Sequence, residues 1–310
     1  MSTRLRSIGS NPTLANFARD ASQGSIRKIS EFLAPTVEVP TLTGQYKQYT
    51  AANRYKRANT KRGIDGKATR IGFSADDANY NLVPRALDFP IPNVEALNDA
   101  EILNMAMYGT TLLADAAGLD DEAETLDLAL STLGAGTDVN FLAASFDPID
   151  YLDGVITDTM KAAKNGAPIR VLFGISAWKR VKNNSTVIAR FNGTPGAKVL
   201  KTPDLSDVQA MLIGKPEVQL ATMVEDTAAE GVAESISFML DAGILVFACN
   251  ARPNTMDPSF MKTFRLMGGF MKPGSYTTED DRDEVLKMDW IQRKIVTNST
   301  AGKRINANAT

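Results

Sequence analysis

The sequence predicts an α+β fold made of more than one unit. Three observations carry that expectation: helical periodicity over residues 93–133, a mixture of short helices and apolar strands after residue 147, and a long extended tract from Glu284 to Thr297. At 310 residues the chain has room for about two domains of ~150 residues. A chain of about this size can bury about 75% of its unfolded surface, enough for a real core.

Residues 1–11 are polar and read as a loose arm. Asn11-Pro12 fits the opening of a short helix, because proline is welcome at the first helical position. Ile26, Ile29, Phe32 and Leu33 recur at helical spacings on one stripe, and Pro35 ends that helix. A basic amphipathic arm suits a membrane or a partner; two short helices of mild charge favour a protein partner. Val37 and Val39 alternate, Pro40 interrupts, and Tyr46 to Thr50 is extended again; Thr69 to Ser74 alternates as a half-exposed strand does. Ala51 to Lys67 between them reads as the tip of a two-stranded excursion. Its cations, Lys47, Arg54, Lys56, Arg57, Lys61, Arg62, Lys67 and Arg70, face only Asp65. A segment so charged and so poor in large apolar residues makes no core, and an isolated hairpin is marginal in water. Something outside it must order it.

Asn98, Asp99 and Glu101 give residues 93–133 a capped, acidic first turn. Ile102, Leu103, Ala106, Leu113 and Ala117 form its apolar stripe, continued by Leu126, Leu130 and Leu133. Gly118 leaves one bent helix or two in tandem, and Gly134-Ala135-Gly136 ends the run. Asp147, Pro148 and Asp150 read as N-cap, first helical residue and acidic first turn of a helix to about Lys164, stopped by Asn165-Gly166. Strands follow at Pro168–Phe173, Val218–Val224 and Ser235–Ala248, with helices at Ile175–Val181 and Asp204–Ile213. In the last tract Leu286, Met288 and Trp290 share one face, and Ile295 and Val296 prolong it.

The chain has no histidine, which removes Ser-His-Asp and Cys-His mechanisms, His-ligated zinc and the commonest general base near neutral pH. Its one cysteine, Cys249, sits in an apolar run and reads as a buried small hydrophobe. Gly193-Thr-Pro-Gly196-Ala-Lys198 lacks the phosphate-loop spacing. Asp147, Asp150 and Asp153 recur every third residue, not at the alternate positions of a calcium loop. No catalytic residue, metal site or cofactor is expected. No apolar run reaches the ~18 residues of a membrane span, and the first residues lack a signal-peptide core.

The formal charge of −2 conceals segregation. Residues 1–85 carry 14 Lys/Arg against 6 Asp/Glu; residues 86–160 carry 15 Asp/Glu and no Lys or Arg; residues 161–310 carry 20 against 15. A solvated acidic helix face explains the middle block. So does complementarity, in which the acidic block of one copy receives the basic arm of another. Basic residues interleaved with Tyr46, Tyr49 and Tyr55 also suit nucleic acid, although the adjoining acidic block would repel phosphate.

The order of parts resembles the major capsid proteins of tailed double-stranded DNA bacteriophages, with the Hong Kong 97-like fold that encapsulins share. The tracts that carry the resemblance are Phe32 to Pro40 and Phe73 to Leu82 around the excursion, Asp147-Pro148-Ile149, Leu172 to Asn183, Ser259 to Arg265, and Tyr276 with Trp290 to Ile295. It implies an N-arm at 1–36, an extended loop at 37–85 and a peripheral domain at 86–146 and 259–310 with its spine helix. It also implies an axial domain at 147–258, at the centre of pentamers and hexamers. The expected function is a structural, non-enzymatic shell protein that self-assembles around double-stranded DNA and touches phosphates without reading sequence. Portal, scaffolding or decoration proteins are implied partners, and the virion, assembled in the bacterial cytoplasm, is the implied location. A chain opening at Met1 carries the further expectation that no N-terminal scaffolding segment is removed.

The expected glue joins those loop cations to Asp115, Asp120, Asp121, Glu122, Glu124 and Asp127 of another copy. Some members of the family cross-link a loop lysine to a neighbour's asparagine. Lys61 or Lys67 stands where such a lysine would, but no partner asparagine or supporting acid is identifiable, and no cross-link is expected. An encapsulin-like compartment is the alternative within the fold, and a carboxylate-based α/β enzyme the alternative outside it.

Overall fold

The computed structural model describes residues 28–48, 60–62, 64, 66–67, 76–92, 99–143, 145–163, 167–192, 202–229, 231–268, 272–278 and 283–308. In chain order the elements are α1 (Lys28–Leu33), β1 (Thr36–Val39), β2 (Thr43–Gln48), β3 (Asp76–Asn81), β4 (Val83–Pro92), α2 (Asp99–Leu133), β5 (Thr137–Asn140), α3 (Pro148–Ala162), β6 (Ile169–Phe173), α4 (Ile175–Asn183), α5 (Ser185–Asn192), α6 (Leu205–Met211), β7 (Glu217–Leu220), β8 (Val224–Asp226), β9 (Ile236–Phe238), β10 (Gly243–Ala248), β11 (Met261–Leu266), β12 (Lys272–Thr277), β13 (Asp283–Val296) and β14 (Gly302–Asn308). A short 3-10 turn, Ser299–Ala301, precedes β14.

Two five-stranded sheets organise the chain. In the first, β13 pairs β11 and β12 on one side and β4 on the other, and β1 extends β11 in parallel. The second has the order β5-β14-β10-β6-β7. Its central strands, β6 and β10, are buried along their whole length; β10 is a continuous apolar run and β6 is apolar but for Arg170, as strands covered on both faces require. Helix α1 joins this core through Ile29, Phe32 and Leu33. Arg170 of β6 fixes it there: its Nη1 donates to the Phe32 carbonyl at 2.8 Å, its guanidinium lies 4.9 Å from the Phe32 ring centre, and Nε pairs with Glu217 at 2.8 Å.

Helix α2 runs unbroken through Gly118. A mid-helix glycine costs about 1 kcal/mol, offset here because the helix is buried on both sides of it. Ala106, Leu113, Ala114 and Ala117 pack on Leu286, Met288 and Trp290 of β13, and Leu126 and Ala129 enter the main core. Gly134, at φ +68°, turns the chain out of the helix. Asp147 caps α3 by accepting from the N–H groups of Ile149 and Asp150, so the three aspartates there mark a helix start.

Several boundaries differ from expectation. The tract Val218–Val224 is split into β7 and β8, and Ser235–Ala248 into β9 and β10. The pieces Val224–Asp226 and Ile236–Phe238 form a hairpin of their own, because Glu225 and Asp226 could not enter a sheet buried on both faces without large desolvation cost. Strands β3, β4, β5, β11, β12 and β14 and helix α5 had no expected counterpart. The strand expected at Thr69–Ser74 lies outside the described residues, as do residues 1–27 of the expected arm. By their pairing, β14 and β5 belong to the sheet of β6 and β10, so the divisions expected at 147 and 258 do not follow the sheets.

Candidate functional site

The long helix presents the acidic block, and its carboxylates fall into two groups. Arg85 of β4 reaches across with both arms, Nη1 to Asp120 and Nη2 to Glu124, each at 2.5 Å. Lys294 of β13, 1% exposed, pairs with Asp121 and Glu124 at 3.0 Å each, and Gln292 donates to Asp121 at 2.5 Å. Glu122 is buried. One of its oxygens accepts from the Ser30 N–H of α1 at 2.8 Å, and the other has no hydrogen-bond partner. Burial pushes its carboxyl up to about 8; the neighbouring Asp121 adds to this, while the Ser30 and Ile29 N–H groups and Lys294 work against it.

Asp121 and Glu122 are therefore interior groups that tie β13 and α1 to the long helix, and Glu124 is largely committed to the same work. The expectation that they face another copy does not fit their burial. Asp115 and Asp127 are exposed, and Asp120 is half exposed beside Arg85. Sequence periodicity alone could not make this division, since acidic residues occur all round the helix and only β4, β13 and α1 select among them.

Among the loop cations, Lys61, Arg62 and Lys67 are exposed. Lys47 stands in β2 opposite Asp77 of β3. Arg54, Lys56, Arg57 and Arg70 lie outside the described residues. The foot of the excursion is anchored to the first sheet: Tyr80 stacks on Phe264 with ring centres 5.1 Å apart, and Tyr46 packs on the same ring at 5.4 Å. Near its tip Ile64 is 98% exposed.

One feature escaped the sequence reading. Tyr108, 65% exposed, with Leu112, Asp115 and Leu119, forms an outward stripe on α2, at the four- and three-residue steps that keep side chains on one face. The available signal was Tyr108, Leu112 and Leu119, which lie off the apolar stripe read from the sequence and mark a second apolar face. The helix thus offers an apolar stripe bordered by carboxylates, and the excursion offers an isoleucine among cations.

Among the described residues no three His, Cys, Asp or Glu side chains are placed to hold a metal ion, and no helix is long and apolar enough to cross a membrane. Cys249 is buried, and burial pushes its thiol up to about 12. A cleft of ≈ 220 Å³ beside β6 and β7 contains Arg170 and Glu217, which are already paired with each other.

No family model matches the sequence, and no curated protein matches it. Solved structures match nearly end to end. A phage-related protein from Bordetella bronchiseptica has a TM-score of 0.70 at 17% identity, covering 96% of this chain and 97% of that one. The capsid of cyanophage P-SCSP1u gives 0.52 at 13% identity, over 90% and 88% of the two chains. The SrpI encapsulin complex of Synechococcus elongatus gives 0.50 at 11%, over 92% and 89%. At such identities the likeness is one of fold: the chain has the Hong Kong 97-like fold of phage capsid proteins.

Proposed function

We propose that this protein is a structural shell subunit, the major capsid protein of a tailed double-stranded DNA bacteriophage, which assembles as pentamers and hexamers into an icosahedral shell around DNA. The observation that supports the reading is the whole-chain likeness of fold at a TM-score of 0.70, beside an excursion whose strands β2 and β3, among the described residues, pair with each other alone. A chain built this way gains from closed symmetric assembly, because neighbours supply the burial its protruding parts lack. The surface for that contact is the apolar and acidic stripe of α2 around Asp115, receiving the cationic loop with Ile64 from another copy. DNA inside the shell would be held through its phosphates without sequence readout. The site of action is the virion, and assembly takes place in the bacterial cytoplasm.

The likeness to an encapsulin supports a second reading, a compartment holding protein cargo. Size-exclusion chromatography of the purified protein, followed by negative-stain electron microscopy of the leading peak, tests the shell. Uniform closed particles are expected. A stable 33.5 kDa monomer that never assembles would overturn the proposal. Nuclease-protected DNA in particles from infected cells distinguishes the virion from the compartment.

A further inference from the structure

A second separation of charge lies inside the unit built on the β6–β10 sheet. Residues 161–215 hold ten Lys/Arg and two Asp/Glu, whereas residues 216–251 hold six Asp/Glu and no Lys or Arg. The acidic part centres on the β8–β9 hairpin. This hairpin belongs to neither five-stranded sheet. Asp226 closes it by accepting from the N–H groups of Ala228 and Ser235, and the Met239 N–H donates to the Met223 carbonyl at its foot. Val224 stands opposite Phe238, and Asp226 opposite Ile236, so all four share one face. That face is uncovered: Ile236 is 65% and Phe238 42% exposed. A lone two-stranded hairpin with an apolar face in water is marginal, and nothing among the described residues covers it.

The basic part includes the last turn of α4. Lys179 is exposed, Lys182 is half-buried, and the buried Nη1 of Arg180 has no hydrogen-bond partner. No ion pair joins these three to Glu225, Asp226 or Glu234 of the same chain among the described residues. The arrangement keeps the two patches apart. The Ser176 and Ala177 N–H groups bind the Asp241 carbonyl, which fixes the first turn of α4 near the foot of the hairpin. Arg180 and Lys182 sit in the last turn of this nine-residue helix, about 13 Å long, and Lys179 stands just before that turn. Hairpin against hairpin would bring like charges together, which costs affinity. Two different, complementary patches on one chain make a head-to-tail contact, and such contacts close into rings.

We propose that the acidic β8–β9 hairpin of one copy lays its Val224–Ile236–Phe238 face against the basic C-terminal half of α4, with Lys179 and Lys182, of the next copy in the ring. This rests on the shell reading, since it names the contact that closes a pentamer or hexamer. Hydrophobic cover comes from the hairpin, and the cations supply register and orientation.

The test uses the full chain and charge exchange. One variant carries Glu234→Lys, a second Lys179→Glu and Lys182→Glu, and a third all three; Glu225 is left intact because it lies on the other face of the hairpin. Asp226 is left intact because it closes the hairpin. Native mass spectrometry reads the fraction in pentamers, hexamers and shells, and circular dichroism reads the fold. Each of the first two variants should fold normally but lose ring formation by about tenfold, and the three-site variant should regain it. Rings unaffected by either reversal overturn the proposed contact and leave the shell reading standing. Intact rings with reduced DNA content in the Lys179/Lys182 variant overturn it in favour of a DNA-facing role for α4. Wild-type protein that forms neither rings nor shells overturns both readings.

Discussion

Glu122 holds a carboxyl where its own chain, not water, supplies the partners: the α1 N–H groups on one oxygen and nothing on the other. The surrounding charges are Asp121 on its own helix and Lys294 on β13. Because its folded value, about 8, lies above the ordinary 4.5, the protonated form stabilises the fold. That contribution is complete below about pH 4.5 and is lost as pH rises through about 8. The wild-type unfolding temperature should therefore fall between about pH 6 and about pH 8. Glu122→Gln keeps an acceptor for the Ser30 N–H and should flatten the curve; a variant that falls as steeply as wild type would assign the effect elsewhere. Lys262 acts with the opposite sign and in a different window. Burial depresses it to about 8 from 10.5, against the pull of Asp257 and Cys249, so stability on its account rises only as pH climbs from about 8 toward 10.5. Its ammonium donates to the carbonyls of Asn254 and Asp257, which gather the 250–259 loop around one buried charge. Lys262→Met strands both carbonyls and should cost about 2–4 kcal/mol in denaturant unfolding. A loss below about 0.5 kcal/mol would mean that water replaces the ammonium there.

Strand β4 shows how one element can be decisive and still illegible in the sequence. Three prolines, Pro84, Pro90 and Pro92, interrupt Val83–Pro92, and read alone they argue against a strand. They stand an even number of residues apart, so their missing N–H groups all fall on one side. β4 pairs only with β13 among the described residues, and that side is the free edge. The alternate residues Arg85, Leu87, Phe89 and Ile91 face the long helix. Gly109 makes room for them: a Cβ there would lie 2.5 Å from the Phe89 ring. Gly109→Ala should therefore destabilise the fold by about 1–3 kcal/mol despite alanine's better helix propensity. A stabilised variant would show that Phe89 has another place to go. The amphipathic elements were legible, including α2, α3 with its Asp147 cap, β6, and the Leu286–Trp290 face of β13, because period and capping are local signals. Strands such as β4, β5 and β14 were not, since long-range pairing creates them. The same holds for the candidate site. A charge count found the acidic block, but only the partners of Arg85 and Lys294 divided it.

For the whole molecule, that division sets two kinds of carboxylate on one helix against each other. Asp115 and Asp127 are exposed and pair with nothing among the described residues, whereas Asp121 and Glu122 hold the fold. Exposed ion pairs contribute about 0–1 kcal/mol each, so a single contact between copies is weak. A closed shell repeats it over every subunit, and the apolar stripe of Tyr108, Leu112 and Leu119 adds burial that one charge pair cannot. Reversing Asp115 and Asp127 to lysine should thus leave the unfolding temperature within a few degrees of wild type and still suppress assembly. Reversing Arg54, Lys56, Arg57, Lys61 and Arg62 together should do the same from the other side of the contact. Asp121→Asn should behave differently, lowering stability by about 3–5 kcal/mol because it leaves the Lys294 charge buried with less compensation. Wild-type assembly should fall as salt rises, whereas both reversal variants, which set like charges together, should recover part of theirs, since exposed charges are screened beyond about 8 Å at physiological ionic strength. Light scattering against salt concentration, with calorimetry on the same samples, separates the two classes. Assembly and salt sensitivity unchanged in both reversal variants would remove the charge pairing between loop and helix and leave the apolar stripe alone to join the subunits.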